Sequence, residues 1–381
     1  MFRRYAHFLL FLLAVAGNAQ AQMQPGPWQI PKHANTQQRL QIVAVGDVLL
    51  HSPLHRQALS NPLGHRSLWP LVEPYIQKAD MAYANLEGPI APGLAGGGRK
   101  ITDPGMVFDG RVYTSYPLFN YHSHLADDLV ASGFDVVSTA NNHALDRGRH
   151  GIDATLMQLK RAGLPHTGTR TSGARDPATV PWHTIIQRNG FSIAWLACSY
   201  GTNGIPDPDH QVLNCFSDRK IVMALVARLA QHKGVDAVIL TPHMGNEYEL
   251  SPRQNEISFA KDAIEAGALA VLGAHPHVLQ PWQLHVTEEG RHGLIAYSLG
   301  NFVSGQFHRL HTRASVLIEL SLVRLPDGSV VIEQANYLPM EMVRGTHGYQ
   351  VRPIEDAGSV LWNHVQKQFS APLGIGKPSN P

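Results

Sequence analysis

From Leu40 to Tyr337 the chain repeats one pattern: a short run of apolar, often β-branched residues, a polar or Gly-containing loop, then a stretch with helical period. The apolar runs are residues 40–45, 81–84, 134–139, 192–197, 237–241, 268–273 and 294–298. Several are apolar at every position, as a strand covered on both faces must be. The helical stretches between them have readable ends. Ser217 is placed to cap a helix that reaches about residue 232 and stops at Gly234, and Ser251-Pro252 opens another that stops near Gly267. Residues 122–132 before Gly133 and 149–161 before Gly163 complete the set. Strands alternating with helices predict an α/β fold. Farther on, 314–324 and 330–337 flank Pro326-Asp327-Gly328, a hairpin signal. Antiparallel pairs are therefore expected beside parallel ones, in a mixed sheet.

The ends of the chain break the pattern. Arg3 and Arg4 precede an apolar run, residues 8–16, and then Asn18-Ala19-Gln20-Ala21, which has the small-x-small form of a signal-peptidase site. Residues 1–21 are thus expected to be a cleaved signal peptide, placing the protein in the periplasm or outside the cell. A retained membrane anchor is the alternative, but the run is shorter than the roughly 20 residues a spanning helix needs. The Gln/Pro-rich residues 22–38 have too few apolar side chains to pack and read as a flexible leader. The main domain then covers 39–345. Residues 346–381 hold one short helix, around 360–368, and read as a peripheral tail.

Composition removes some functions. With 44% hydrophobic and 16% charged residues the chain is of the soluble globular kind, and a net charge of +2 without a Lys/Arg run leaves no footprint for nucleic acid. No GxSxG elbow follows a strand and no GxGxxG opens a helix, which sets aside covalent serine hydrolases and dinucleotide enzymes. Cys198 and Cys215 lack CxxC spacing, so they are either one disulfide or two buried thiols rather than a zinc site.

The chemistry lies at the exits of the apolar runs. Successive exits carry Gly46-Asp47, Asn85-Leu86-Glu87-Gly88-Pro89, Asn141-Asn142-His143-Ala144-Leu145-Asp146, Pro242-His243-Met244-Gly245-Asn246-Glu247 and Ala274-His275-Pro276-His277. Each piece alone has a plainer reading. Asp47 suits a helix cap, Glu87 before Gly-Pro an exposed turn, and the two histidines around Pro276 a satisfied structural pair. Pro276 holds its neighbours extended, and strand-like alternation then leaves His275 and His277 on one side. In open α/β sheets the loops at the carboxyl ends of strands converge on one crevice, so these residues can meet. Carboxylates, an Asn amide and histidines together suit one or two divalent ions, Mn, Zn or Fe, with one carboxylate able to bridge. Two adjacent ions would lower the pKa of a water and clamp the oxygens of a phosphoryl or similar group, which makes hydrolysis the economical inference.

The strings VAVGDVLLH, ANLEGP, TANNHALDRGRHGIDAT, PHMGNEY, LGAHPHVLQ and YSLGNFV, in this order between Ile42 and Ser304, resemble the CapA family of capsule and poly-γ-glutamate biosynthesis proteins. That family lies in the calcineurin-like metallophosphoesterase superfamily. The resemblance implies two facing mixed β-sheets flanked by helices, an α-β-β-α sandwich with its metal site where the loops of the two sheets meet. It also implies roles: Asp47 as terminal carboxylate, Glu87 as bridging carboxylate, Asn142 and His243 as ligands of the second ion, His275 and His277 as the closing pair. His143 resembles the histidine that protonates the leaving oxygen or binds the transferred group.

Three supporting roles are expected from geometry: Asp146 fixing the tautomer of His143, Glu247 orienting His243, and Ser298 with Asn301 lining the pocket. Two departures stand out. The superfamily's Asp-x-His has Leu49 two residues after Asp47, and His51 is expected on the far side of its loop, so one ion is expected to be weakly held or absent. The family's His-Trp-Gly reads His243-Met244-Gly245, which is expected to remove an aromatic wall.

The expected function is an exported capsule or poly-γ-glutamate biosynthesis protein with a metal-dependent hydrolase site for a phosphoester or a polymer amide. The competing reading is a non-catalytic component of an anionic-polymer synthesis or export complex. It would hold polymer in the same pocket beside membrane-bound synthesis or export proteins. A third keeps the fold and assigns the histidines to core packing.

Overall fold

The structure, a computed structural model, describes residues 22–29, 38–174 and 181–369. The expected signal peptide, 1–21, lies outside the described residues, as do residues 30–37 of the expected leader. One sheet contains β1 (Gln24–Gln29), β2 (Arg39–Leu49), β3 (Met81–Leu86), β4 (Val136–Ser138), β5 (His166–Thr167), β12 (Val303–Ser304), β13 (Ala314–Arg324), β14 (Val330–Gly345) and β15 (Gly348–Pro353). Its order is β1-β14-β13-β2-β3-β4-β5, with β12 against β2 and β15 against β14. The other contains β6 (His183–Arg188), β7 (Phe191–Ser199), β8 (Ala237–His243), β9 (Ala270–Leu272), β10 (Leu279–Val286) and β11 (His292–Leu299), in the order β10-β11-β9-β8-β7-β6. Both are mixed: β2 to β5 and β7, β8, β9 and β11 run parallel, while β13 and β14, β10 and β6 are antiparallel additions.

Alternation along single strands creates the layers. Leu40, Ile42 and Ala44 of β2 enter a core shared with Ile193 and Trp195 of β7 and Ile239 of β8, so the sheets face one another. Val43 and Val45 point the opposite way, into a core with Leu54 of α1 (Ser52–Ser60), Ile76 of α2 (Glu73–Lys78), Leu125 of α3 (His124–Ala131) and Leu159 of α4 (Gly148–Ala162). On the far side of the second sheet, Ala194 and Leu196 pack with Val222 of α5 (Arg219–Ala230) and Phe259 of α6 (Gln254–Glu265). The result is the expected α-β-β-α sandwich. Across its central core the rings of Tyr83 and Trp195 stack at 5.0 Å and 4°, a contact that contributes about 0.5–1.5 kcal/mol beyond the area it buries.

Several boundaries differ from expectation. α5 starts two residues after Ser217, whose N–H is taken by Asn214 Oδ1 at 2.9 Å. α6 starts three residues after Ser251; the Glu256 carboxylate accepts the Arg253 N–H at 2.6 Å and sets the first turn there. Within the expected flexible leader, Gln24–Gln29 form an edge strand on β14, registering Gln24 with Tyr337. Main-chain pairing to an open edge needs no apolar side chains, and prolines are tolerated on an edge. The expected peripheral tail is not peripheral either. β15 pairs β14, and α7 (Val360–Phe369) brings Leu361, Val365 and Phe369, one face at helical spacing, into the inter-sheet core. The Trp282 indole N–H then donates to the Phe369 carbonyl at 2.7 Å.

Candidate metal centre

The parallel strands of both sheets end on the same side, and their exits form the site. Asp47 is not after β2 but inside it, at an irregularity where the pairing with β3 slips between Ala44 and Asp47. A bulge of this kind re-aims a side chain. The slip is accompanied by a close crossing: Asp47 N–H donates to the Gly300 carbonyl at 3.1 Å, and a Cβ on residue 46 would stand 1.8 Å from that oxygen. Only glycine fits at 46. Glu87 follows β3 directly, with Gly88 at φ +129 under the ring of Tyr121, whose hydroxyl donates to the Glu87 carbonyl at 2.6 Å. Asn141 bridges the next exit to this one, its amide donating to the Leu86 carbonyl at 2.7 Å.

All six expected ligands come together. Donor atoms of Glu87, His243 and His275 lie within 4.8 Å of one another, and so do those of Asp47, Glu87 and His277. Asn142 Oδ1 joins the first group, 2.9 Å from His243 Nε2. Glu87 is therefore shared between two ligand sets. Its two carboxylate oxygens and His275 Nδ1 are buried without a hydrogen-bond partner. Orphaned buried acceptors are costly, and a cation between them would meet that cost. The residues present thus fit divalent metal, four of them on one side and three on the other.

Electrostatics agree with this. Burial holds the Glu87 carboxyl well above the usual range, with Asp47, Glu247 and Asp146 adding repulsion. Burial, reinforced by neighbouring histidines, holds His243 and His275 well below theirs. Neutral imidazoles facing carboxylates that repel one another are the expected state of a ligand set without its ion.

His275 and His277 converge by a route that differs from the expected extended one. Their φ values are +102 and +58, so left-handed backbone, not strand alternation, turns both rings inward. Such conformations cost on the order of 1–3 kcal/mol each and persist where surrounding structure enforces them. His277 is held by Asn301, whose amide N–H groups serve Gln306 Oε1 at 3.1 Å and the Thr312 carbonyl at 3.0 Å, leaving Oδ1 3.1 Å from His277 Nδ1. The His277 proton thus sits on Nδ1, and Nε2 faces Glu87 Oε1 at 3.9 Å.

The other supporting residues divide between expected and unexpected places. Asp146 Oδ2 accepts from His143 Nδ1 at 2.8 Å, and burial raises the Asp146 pKa against the opposing pull of that bond. Glu247 does not orient His243; it is exposed at the rim of a cavity beside the centre. The nitrogens of His243 face Asn85 and Asn142 instead. Ser298 serves the turn through the Gly300 N–H at 3.2 Å. Met244 points into the sheet–helix core, so the missing tryptophan takes no wall from the cavity. His51, expected to face away, lines the same cavity as His143 and His277.

Three residues went unrecognised. Asn85 donates to Asp47 Oδ1 at 2.8 Å and lies 3.2 Å from His243 Nδ1. Asn203 accepts from Asn142 Nδ2 at 3.1 Å, which turns Asn142 Oδ1 to the centre. The Tyr200 ring lies 4.4 Å from that of His275. Asn203 and Tyr200 belong to a loop tied at its base by the Cys198–Cys215 disulfide, which settles the open question about these cysteines.

Two facing mixed sheets with carboxylate, amide and imidazole donors at their shared end define an α/β sandwich protein with a candidate metal centre. The chain belongs to the family described as bacterial capsule synthesis protein PGA_cap, which matches residues 41–306. Among relatives, the capsule biosynthesis protein CapA of Bacillus anthracis is 26% identical over 327 residues, covering 84% of this chain and 72% of that protein. The PGA biosynthesis protein CapA of Bacillus subtilis strain 168 is 25% identical over 285 residues, covering 73% and 66%. A solved Staphylococcus aureus structure described as a 5′-nucleotidase superposes with a TM-score of 0.44 at 13% identity. It covers 87% of this chain and 58% of that one, too loosely to carry a functional argument.

Proposed function

We propose that this chain is a metal-dependent hydrolase of anionic-polymer metabolism, acting on a phosphoester or a polymer amide in the periplasm or outside the cell. The carrying observation is Glu87: one buried carboxylate, unpartnered at both oxygens, shared by the Asp47–His277 and His243–His275 ligand sets. Divalent ions held there would activate a water and neutralise charge on the reacting group. The chain's own contribution is orientation, through Asn85, Asn142 and Asn301, and proton handling at His143 Nε2, the nitrogen left free by Asp146. Support for the compartment comes from the Cys198–Cys215 disulfide, since such bonds persist where the surroundings oxidise. Among the described residues no helix is long and apolar enough to cross a membrane.

The test is elemental analysis of protein purified without chelator or affinity-tag metal, with turnover of a chromogenic phosphodiester and of poly-γ-glutamate. Bound transition metal with activity on one substrate is expected, and His275→Ala should lower that activity at least about 100-fold. A well-folded protein that binds no metal would sink the reading.

A further inference from the structure

We propose that the cavity beside the Asp47–His277 half of the centre is an oxyanion-binding subsite in which His51 Nε2–H is the donor. Its purpose rests on the hydrolase reading; its residues rest on separate geometry. The cavity holds about 360 Å³, and His51, His143, Tyr248, His277, Gln306 and His308 are among its lining residues. β2 continues through Leu49 and α1 begins at Ser52, which leaves His51 on the turn between them with its ring over this space.

Neighbours decide the tautomer. The Gly305 N–H, which can only donate, points at His51 Nδ1 from 3.2 Å. A Cβ on residue 305 would meet the His51 Cβ at 2.6 Å, so the approach is open to glycine alone. The Leu49 carbonyl also lies 3.3 Å from that nitrogen, but it is satisfied by the His51 main-chain N–H at 3.2 Å, whereas a proton on Nδ1 would set two donors against each other and leave the Gly305 N–H without an acceptor. Nδ1 is therefore the acceptor, and the neutral ring carries its proton on Nε2. Among the described residues none takes up that proton. His143 is set the other way, with Nδ1 engaged by Asp146 and Nε2 left as the basic position.

Phe119 holds both rings edge-on, at centroid distances of 5.4 Å from His51 and 4.7 Å from His143, and its own N–H is fixed by Asp146 at 2.6 Å. One small cavity thus presents an oriented donor and an oriented base next to a cation site. A preset donor beside a cation suits an oxygen bearing negative charge, whether a phosphoryl oxygen or a carboxylate.

The test uses the full chain, with metal content measured first. Binding of inorganic phosphate and of N-acetylglutamate is then titrated calorimetrically for the unsubstituted protein, His51→Phe and His51→Gln. Loss of one hydrogen bond to a charged group should weaken one probe at least about tenfold in His51→Phe, with metal unchanged, while His51→Gln, which keeps an amide N–H near the Nε2 position, stays within about threefold. The weakened probe identifies the source, phosphoester or polymer acid. Equal binding by His51→Phe, loss of metal from it, or no binding of either probe by the metal-loaded protein would overturn the subsite. Protein that takes up no metal would instead overturn the hydrolase reading, leaving the subsite to be judged on the probes alone. Should His51→Phe not fold, ¹⁵N-histidine spectra decide: a His51 ring protonated on Nδ1 refutes the proposal.

Discussion

Glu87 is a residue that folding alone would not choose. It is wholly buried, neither oxygen has a hydrogen bond, and Asp47 repels it. Glu87→Gln keeps the volume and removes the charge, so the metal-free protein should melt no lower than the parent. Metal content should fall to about a tenth or less, because both ligand sets lose their shared donor. Calorimetry of the chelated protein beside elemental analysis of the untreated one checks this, and a lower metal-free melting temperature would show that Glu87 serves the fold. Ligands of this kind were recognisable in the chain because few residue types can hold a cation, and theirs recur at strand exits. Asn203 and Tyr200 were not, because they act only through Asn142 and His275, and nothing local marks the loop that brings them there. Asn85 did leave a signal: two residues before Glu87 in an extended run, it shares that residue's side.

At the scale of elements, the loop closed by the disulfide is the clearest case of packing serving the centre. Cys198 lies one residue before the end of β7 and Cys215 returns the chain 17 residues later; between them Tyr200 covers His275 and Asn203 turns Asn142. Replacing both cysteines by Ser should cost about 3 kcal/mol, the amount associated with closing a loop of this length. It should also weaken metal retention on the Asn142–His243–His275 side more than on the Asp47–His277 side. Chemical denaturation and competition with a graded chelator read the two effects separately, and unchanged metal affinity would confine the disulfide to stability. The strands of the core were legible because both-face burial leaves an unbroken apolar run, as in residues 42–45 of β2 and 237–240 of β8. β1 was not, since a Gln/Pro-rich edge strand is held by main-chain bonds to β14 that no side-chain pattern announces. The face of Leu361, Val365 and Phe369 was readable as a helix, but its destination was not.

For the molecule as a whole, burial of imidazoles outside the ligand set makes stability depend on pH. Burial lowers His122, His166 and His364 to about 4 each, from an ordinary value of 6.5. Between those values the unfolded chain binds protons that the folded chain refuses, so the stabilisation is complete above about 6.5 and is lost as pH falls toward 4. Glu87 and Asp146 work in the opposite sense, being protonated more readily when folded, and metal release would add its own acid dependence. The measurement therefore belongs in chelated Glu87→Gln protein, where metal and the more strongly buried of the two carboxylates are both absent. Its melting temperature should fall steadily from pH 7 to pH 4. His166 is shifted by burial alone, so His166→Gln should flatten the slope by no more than one proton's worth, about 1.4 kcal/mol per pH unit and less where solvent reaches the ring. A slope unaltered by that substitution would mean that His166 is already protonated in the folded chain, and that the space around it admits more water than its burial indicates.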